Sequence, residues 1–204
     1  MLTIGITGPS GAGKSEVAGI FATFGFEIID GDVVAREVTQ KGSICLWELT
    51  KSFGNILDEN EELDREVLSE IVFASEESLS LLNEITHKYI IENILEKMDD
   101  LSRRGIDRVC IDAAALIESG FNTSCDFVVA VIAPLPVRLV RILRRDKITR
   151  SAALHRLLAQ PEDDFYINNS DYIIENVGDT KKNNVLGNQI IDFFKQNDIE
   201  YEEA

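Results

Sequence analysis

The stretch Thr7-Gly8-Pro9-Ser10-Gly11-Ala12-Gly13-Lys14-Ser15 constrains the fold more tightly than any other part of the chain. It follows the apolar run Leu2-Thr3-Ile4-Gly5-Ile6 and precedes a segment of helical character. Three glycines and a lysine therefore stand between a buried strand and a helix. The spacing fits G-x-x-x-x-G-K-[ST] through Gly8, Gly13, Lys14 and Ser15, in the strand–turn–helix context that this motif requires. Glycines let consecutive N–H groups turn inward and leave room for an anion that a side chain would block. The helix N-terminus adds its partial positive charge. Lys14 is suited to the β- and γ-phosphates of a nucleotide, and the Ser15 hydroxyl to Mg²⁺. Gly11, Ala12, Gly13 and Glu16 complete the candidate nucleotide-binding stretch. The motif points to a bound nucleotide and leaves the reaction open.

Short strands rich in Ile and Val are expected at 2–7, 26–30, 107–113, 126–132 and 171–175. Helices are expected at 13–24, 32–39, 43–52, 64–73, 77–103, 136–146, 149–159 and 180–196. Strands separated by helices imply an α/β fold, a parallel sheet covered on both faces: a three-layer sandwich of the P-loop NTPase type. The interval between the second and third strands is entirely helical and too long for a simple crossover. A single kinase-like domain is expected, with a core at 1–30, 106–135 and 166–204. A helical acceptor-binding region is expected at 31–105 and a helical lid at 136–165. Ligands of such sheets lie at the carboxyl ends of the strands, so candidate residues should follow strands directly.

The formal net charge of −16 argues against nucleic acid as a partner. Local distribution matters more than the total, because screening limits charge effects to about 8–10 Å. Between Arg138 and Arg156 lie seven basic residues, Arg138, Arg141, Arg144, Arg145, Lys147, Arg150 and Arg156, opposed only by Asp146. Arg138, Arg141 and Arg145 are spaced i, i+3, i+7 on one helical face, and arginine forks suit phosphoryl oxygens. No apolar run approaches the ~20 residues of a membrane helix, and the short N-terminal apolar run has no basic stretch before it. A cytoplasmic protein without membrane partners is expected. Cys45, Cys110 and Cys125 are widely spaced and receive no role.

The Asn-Lys-x-Asp and Asp-x-x-Gly strings of GTPases are absent, as is the Leu-Ser-Gly-Gly-Gln string of transporter ATPases. A small kinase passing a γ-phosphoryl group to a metabolite remains. The second strand ends in Ile28-Ile29-Asp30-Gly31-Asp32. Carboxylates there suit proton abstraction from a hydroxyl or positioning of Mg²⁺, while Asp32 could equally cap the following helix. Asp112 ends the strand Arg108-Val109-Cys110-Ile111 and is a candidate metal carboxylate. His87 lies among core-like helical positions, Glu118 could cap or pair, and His155 is expected at the surface.

These segments, with others, resemble dephospho-coenzyme A kinases along nearly the whole chain. The likeness runs through GITGPSGAGKS, GFEIIDGDVVAREV, FGNIL, ELDREVLSEIVF, LNEITHKYI, VCIDAAALIESGF, RLVRILRRDKITRSAALHRLLAQ and DYIIENVGD, in the family's order. The resemblance implies ATP-dependent phosphorylation of the ribose 3′-hydroxyl of dephospho-coenzyme A, with ATP and Mg²⁺ bound; the sequence does not give the oligomeric state, and a monomer is the favoured expectation. By position in the matching motifs, Asp32 is the general base, and Lys14 and Arg145 act on the transferring phosphoryl. Lys14, Ser15, Arg141 and Asn176 bind ATP, and Ser15 and Asp112 hold the metal. Asp30, Arg36, Arg65 and His87 lie on the acceptor side. Departures from the family are Pro9-Ser10 for Gly-Ile, Gly31 for Ala, Lys88 for Pro and Ala114-Ala115 for Pro-Leu; none removes a group the chemistry needs. A nucleoside or nucleoside-monophosphate kinase and a non-catalytic nucleotide-binding module are the alternatives.

Overall fold

The computed structural model describes residues 1–177 and 182–201. Its sheet has five strands among those residues: β1 (Leu2–Thr7), β2 (Glu27–Asp30), β3 (Arg108–Asp112), β4 (Phe127–Ile132) and β5 (Tyr172–Glu175), in the order β2-β3-β1-β4-β5. β1 pairs in parallel with β3 on one side and β4 on the other, and β4 pairs in parallel with β5. β1 lies in the middle of the sheet and is covered on both faces, which explains its near-continuous apolar sequence. The register sets Ile6 beside Asp112, so the end of β3 lies next to the start of the glycine-rich turn.

Every expected strand is found, with its ends within one residue of the expected bounds. Helices follow at α1 (Lys14–Thr23), α2 (Gly31–Val38), α3 (Ile44–Phe53), α4 (Arg65–Phe73), α5 (Glu76–Arg103), α6 (Leu135–Asp146) and α7 (Arg150–Leu158). Two elements were not anticipated. A 3₁₀ turn covers Phe121–Ser124, and a short helix, α8 (Asp163–Asn168), spans the expected boundary between the lid, ending at 165, and the core segment starting at 166. Six residues are too few to show a 3.6-residue period, so α8 carries no amphipathic signal. The last helix, α9, runs Lys182–Gln196; its expected start at 180 lies outside the described residues.

The chain divides into two compact units, Met1–Ile29 with Gly105–Ala204, and Asp30–Arg104. The first unit is built around Ile4 and Ile6 of β1, Val17 and Phe21 of α1, Val129 and Val131 of β4, and Phe193 and Phe194 of α9. Phe21, Phe26 and Phe194 pack ring to ring with centroids 5.4–5.9 Å apart, joining α1 and α9 on one face. The second unit holds α2 to α5 around Cys45, Leu49, Ile56, Leu68, Val72 and Ile85. Its helices start at side-chain caps: Asp30, Ser43, Asp64 and Ser75 each accept from backbone amides of the first turn. Burial pushes the Cys45 thiol up to about 11 and the Cys125 thiol up to about 12. Such thiols remain protonated and inert near neutral pH. Among the described residues, no helix is long and apolar enough to cross a membrane.

Candidate active site

The glycine-rich turn begins where β1 ends at Thr7 and finishes at Gly13, the N-cap of α1. Gly13 takes φ 100° and ψ 32°, a conformation that L side chains rarely adopt. No side chain caps α1, in contrast to α2, α3, α4, α5 and α7. The amides of Lys14 and Ser15 and the positive end of its dipole are therefore available to an anion. Lys14 Nζ folds back over the turn and donates to the Gly8 carbonyl at 2.9 Å.

Ser15 Oγ donates to Asp112 Oδ2 at 2.7 Å. Asp112 is 7% exposed, so a carboxylate is held almost out of solvent beside the loop. A hydroxyl and a carboxylate in contact offer hard oxygen donors of the kind Mg²⁺ uses together with substrate phosphates. Among the described residues, no three His, Cys, Asp or Glu side chains form a metal cluster of their own. The donor set thus fits an ion that arrives with a nucleotide.

The outside of the turn is braced by residues from distant elements. Arg141 Nη1 donates to the carbonyls of Gly11 and Ala12 at 3.0 and 2.8 Å. Its Nη2 donates to the Asn176 side-chain oxygen at 2.7 Å, and Asn176 Nδ2 donates to Glu16 Oε2 at 3.2 Å. A planar trans peptide points its N–H opposite its C=O, so drawing the Ala12 carbonyl outward turns the Gly13 N–H toward the other side of the loop. Asn176 is 1% exposed, with both ends of its amide engaged. Glu118 has an exposed side chain; partial desolvation nevertheless holds its carboxyl above the ordinary carboxylate range, opposed by its own backbone amide and the charge of Lys14.

The basic segment does not present its arginines as one solvated face. Arg138 is buried and its Nη2 lies 3.4 Å from Asp163 Oδ1. Arg141 grips the loop. Arg145 is exposed and forms a two-pronged contact with Asp146, Nε to Oδ1 at 2.7 Å and Nη2 to Oδ2 at 3.1 Å. Arg156 donates to the same carboxylate at 2.6 Å. The three residues on a common helical stripe thus have three environments: Asp163 of α8 beside Arg138, loop carbonyls at Arg141 and Asp146 at Arg145. His155 is exposed, as expected.

Gly11, Ala12, Gly13, Lys14, Ser15, Glu16, Asp112, Arg141 and Asn176 are brought together in the first unit. In the second unit, the cap of α2 is Asp30, whose Oδ1 accepts from the Asp32 and Val33 amides at 2.8 and 3.1 Å. Capping by Asp32, considered from the sequence, is therefore corrected. The helix starts one residue earlier than expected, which puts Asp32 inside its first turn with an exposed side chain. Arg36 is exposed in the last turn of α2, and Arg65 Nη2 donates to Thr39 Oγ1 at 3.0 Å, where α2 ends. His87 lies on α5, half-buried, and desolvation holds its imidazole below the ordinary histidine range. Sequence reasoning passed over Gln160, whose Oε1 accepts from the Ser10 amide at 2.9 Å. It lies 150 residues from its partner, and no local pattern marks such a contact.

A parallel sheet, a glycine-rich turn at the end of its middle strand, an uncapped helix and a serine–aspartate pair define the nucleotide site of a P-loop kinase. Comparison with known proteins carries the assignment further. The sequence profile of the CoaE family, described as dephospho-CoA kinase, matches residues 2–182. The dephospho-CoA kinase of Bacillus licheniformis is 34% identical over 192 residues, covering 94% of this chain and 96% of that protein. That of Moorella thermoacetica is 40% identical over 181 residues, 88% and 85% of the two chains. The solved structure of the dephospho-CoA kinase from Campylobacter jejuni superposes with a TM-score of 0.67 at 26% identity, covering 96% of this chain and 98% of that one. The chain belongs to the dephospho-CoA kinase family.

Proposed function

We propose that the chain transfers the γ-phosphoryl group of ATP to the ribose 3′-hydroxyl of dephospho-coenzyme A, giving coenzyme A. The observation that supports this best is the Ser15–Asp112 hydrogen bond, 2.7 Å long, beside an uncapped α1 in a chain of this family. Phosphoryl transfer needs little covalent chemistry from a protein; alignment and charge neutralisation do most of it. Gly11, Ala12, Gly13, Lys14, Ser15 and Glu16 form the phosphate-binding stretch, in which the amides of Gly11, Gly13, Lys14 and Ser15 bind the phosphates and the Lys14 ammonium offsets charge on the β- and γ-oxygens. Ser15 and Asp112 would hold Mg²⁺, which when bound supplies further neutralisation of the phosphate charge. Arg141 and Asn176 act at the nucleotide end. Arg145 belongs to a lid at 136–165, and exchanging Asp146 for phosphoryl oxygens is the step assigned to it.

Asp32 takes the proton of the attacking hydroxyl, and its exposed, non-capping carboxylate is suited to this. Arg36, Arg65 and His87, within a region at 31–105, and Asp30 just before it are assigned to the acceptor. The protein works in the cytoplasm as a monomer. An ADP-release assay with dephospho-coenzyme A, uridine, cytidine and AMP as acceptors tests the reading. Turnover with dephospho-coenzyme A and background rates with the others support it. Preference for uridine, cytidine or AMP would replace it with a nucleoside or nucleotide kinase, and ATP binding without any transfer would leave a nucleotide-binding module.

A further inference from the structure

We infer that Gln160 is a positioning residue: it fixes the tip of the phosphate loop and ties the end of the basic segment to it. The inference rests on the reading of ATP as phosphoryl donor. The tip is a four-residue turn, in which the Ala12 amide donates to the Pro9 carbonyl at 3.2 Å. Gly11, its third residue, has φ 78°, the value that a type II turn asks of that position. The Pro9–Ser10 peptide is therefore held at its carbonyl end by the turn. Gln160 holds the other end, accepting from the Ser10 amide at 2.9 Å. A planar peptide secured at both its C=O and its N–H has lost the freedom to flip.

The opposite end of the basic segment reaches the neighbouring residue. A Cβ on Gly11 would lie 2.7 Å from the Arg138 carbonyl oxygen and 3.0 Å from its Cα, so the α6 backbone packs directly on the tip. Asp163, three residues beyond Gln160, stands 3.4 Å from Arg138 Nη2 and closes the base of the segment. Between these ends, α6 and α7 share a small core of Leu139, Ile142, Ala153 and Leu157. That core makes α6 and α7 move as one body. Its attachments to the loop, Gln160 at Ser10, the α6 backbone at Gly11 and Arg141 at Gly11 and Ala12, fall on three consecutive residues, so any swing of this body pivots on the phosphate loop. The Gln160 carboxamide is the side chain of that pivot that holds the tip itself, at Ser10, and it presets the loop for nucleotide before the segment closes.

Presetting acts on nucleotide binding and not on the transfer step, so its loss shows in KM for ATP. Steady-state kinetics and thermal melting of wild type, Gln160→Leu and Gln160→Glu test it. Losing one hydrogen bond of ordinary strength corresponds to about a fivefold to tenfold change. Gln160→Leu should raise KM for ATP by that factor, with kcat and KM for dephospho-coenzyme A within twofold of wild type and the melting temperature unchanged. Gln160→Glu keeps an acceptor oxygen at the same reach and should recover most of the loss. The inference is overturned if Gln160→Leu leaves KM for ATP within twofold of wild type. It is also overturned if both Michaelis constants and the melting temperature shift together, or if Gln160→Glu behaves like Gln160→Leu. A wild-type protein that does not turn over would instead refute the kinase reading, which separates the two failures.

Discussion

Replacing Gly13 by alanine tests the construction of the loop most sharply. The residue sits at φ 100°, where an alanine costs about 1–2 kcal/mol in backbone strain. Its Cβ would overlap Asn176 Nδ2 and approach Glu16 Oε2 to 3.3 Å and Arg141 Nη1 to 3.4 Å. Asn176 is fully buried, so it cannot step aside without giving up its 2.7 Å bond from Arg141. A hydrogen bond to a charged group of this kind contributes about 1.5–3 kcal/mol. The two effects together come to roughly 2.5–5 kcal/mol, a large share of the 5–15 kcal/mol typical of a folded domain. For a chain of this size that lowers the melting temperature by on the order of 10 °C. Gly19→Ala is the control: it lies in α1, with no atom within 4 Å of its added Cβ and ordinary backbone angles. That change should stabilise by up to about 1 kcal/mol, through helix propensity alone. Differential scanning calorimetry with and without Mg-ATP reads both variants. Gly13→Ala should melt early and lose its nucleotide-induced stabilisation, whereas Gly19→Ala should keep it. A Gly13→Ala protein that melts within 2 °C of wild type and is still stabilised by ATP would refute the reasoning.

Other outcomes follow from the same geometry. Asp32→Asn should bind ATP as wild type does but transfer phosphate about 10²–10⁴-fold more slowly in single-turnover assays, the usual worth of a general base. Arg145→Ala should lower kcat by about 10³-fold or more at saturating substrates, with little effect on stability, because the Arg145 side chain is exposed and Asp146 keeps its bond from Arg156. Asp112→Asn should raise the Mg²⁺ concentration needed for half-maximal rate, measured by metal titration. The His87 imidazole titrates lower folded than unfolded, so its neutral form is favoured by folding. Its contribution is complete above the ordinary histidine pKa near 6.5 and is lost as pH falls toward the depressed folded value. Urea denaturation between pH 7.5 and 5 should therefore show a fall in stability that is smaller in His87→Gln.

The elements were legible because their signals are local. The strands are short apolar runs, and helix starts are marked by Ser43, Asp64, Ser75 and Thr149, each of which proves to be a cap. The candidate loop was legible for a related reason: Gly8, Gly13, Lys14 and Ser15 are contiguous, and the chemistry follows from their spacing. Asp112 could be paired with Ser15 in advance only through its place at a strand end, and the 2.7 Å contact spans 97 residues. What stayed hidden was decided by packing. Arg138, Arg141 and Arg145 look equivalent on a helical wheel, yet the first is buried beside Asp163, the second holds two loop carbonyls, and the third lies at the surface with Asp146. Gln160 carries no charge, stands in no motif and meets Ser10 only in the folded chain. That Asp30 caps α2 in place of Asp32 turned on a one-residue shift of the helix start, smaller than propensity can resolve.

The most direct measurement follows the transferred group itself. Incubating the purified chain with dephospho-coenzyme A, Mg²⁺ and ATP labelled in its γ-phosphoryl group, then locating the label in the product by phosphorus NMR, reads donor, acceptor and position at once. Label on the ribose 3′ oxygen, released together with one ADP per turnover, is the expected result. ATP that stays intact beside dephospho-coenzyme A, or label carried to another acceptor atom, would contradict it.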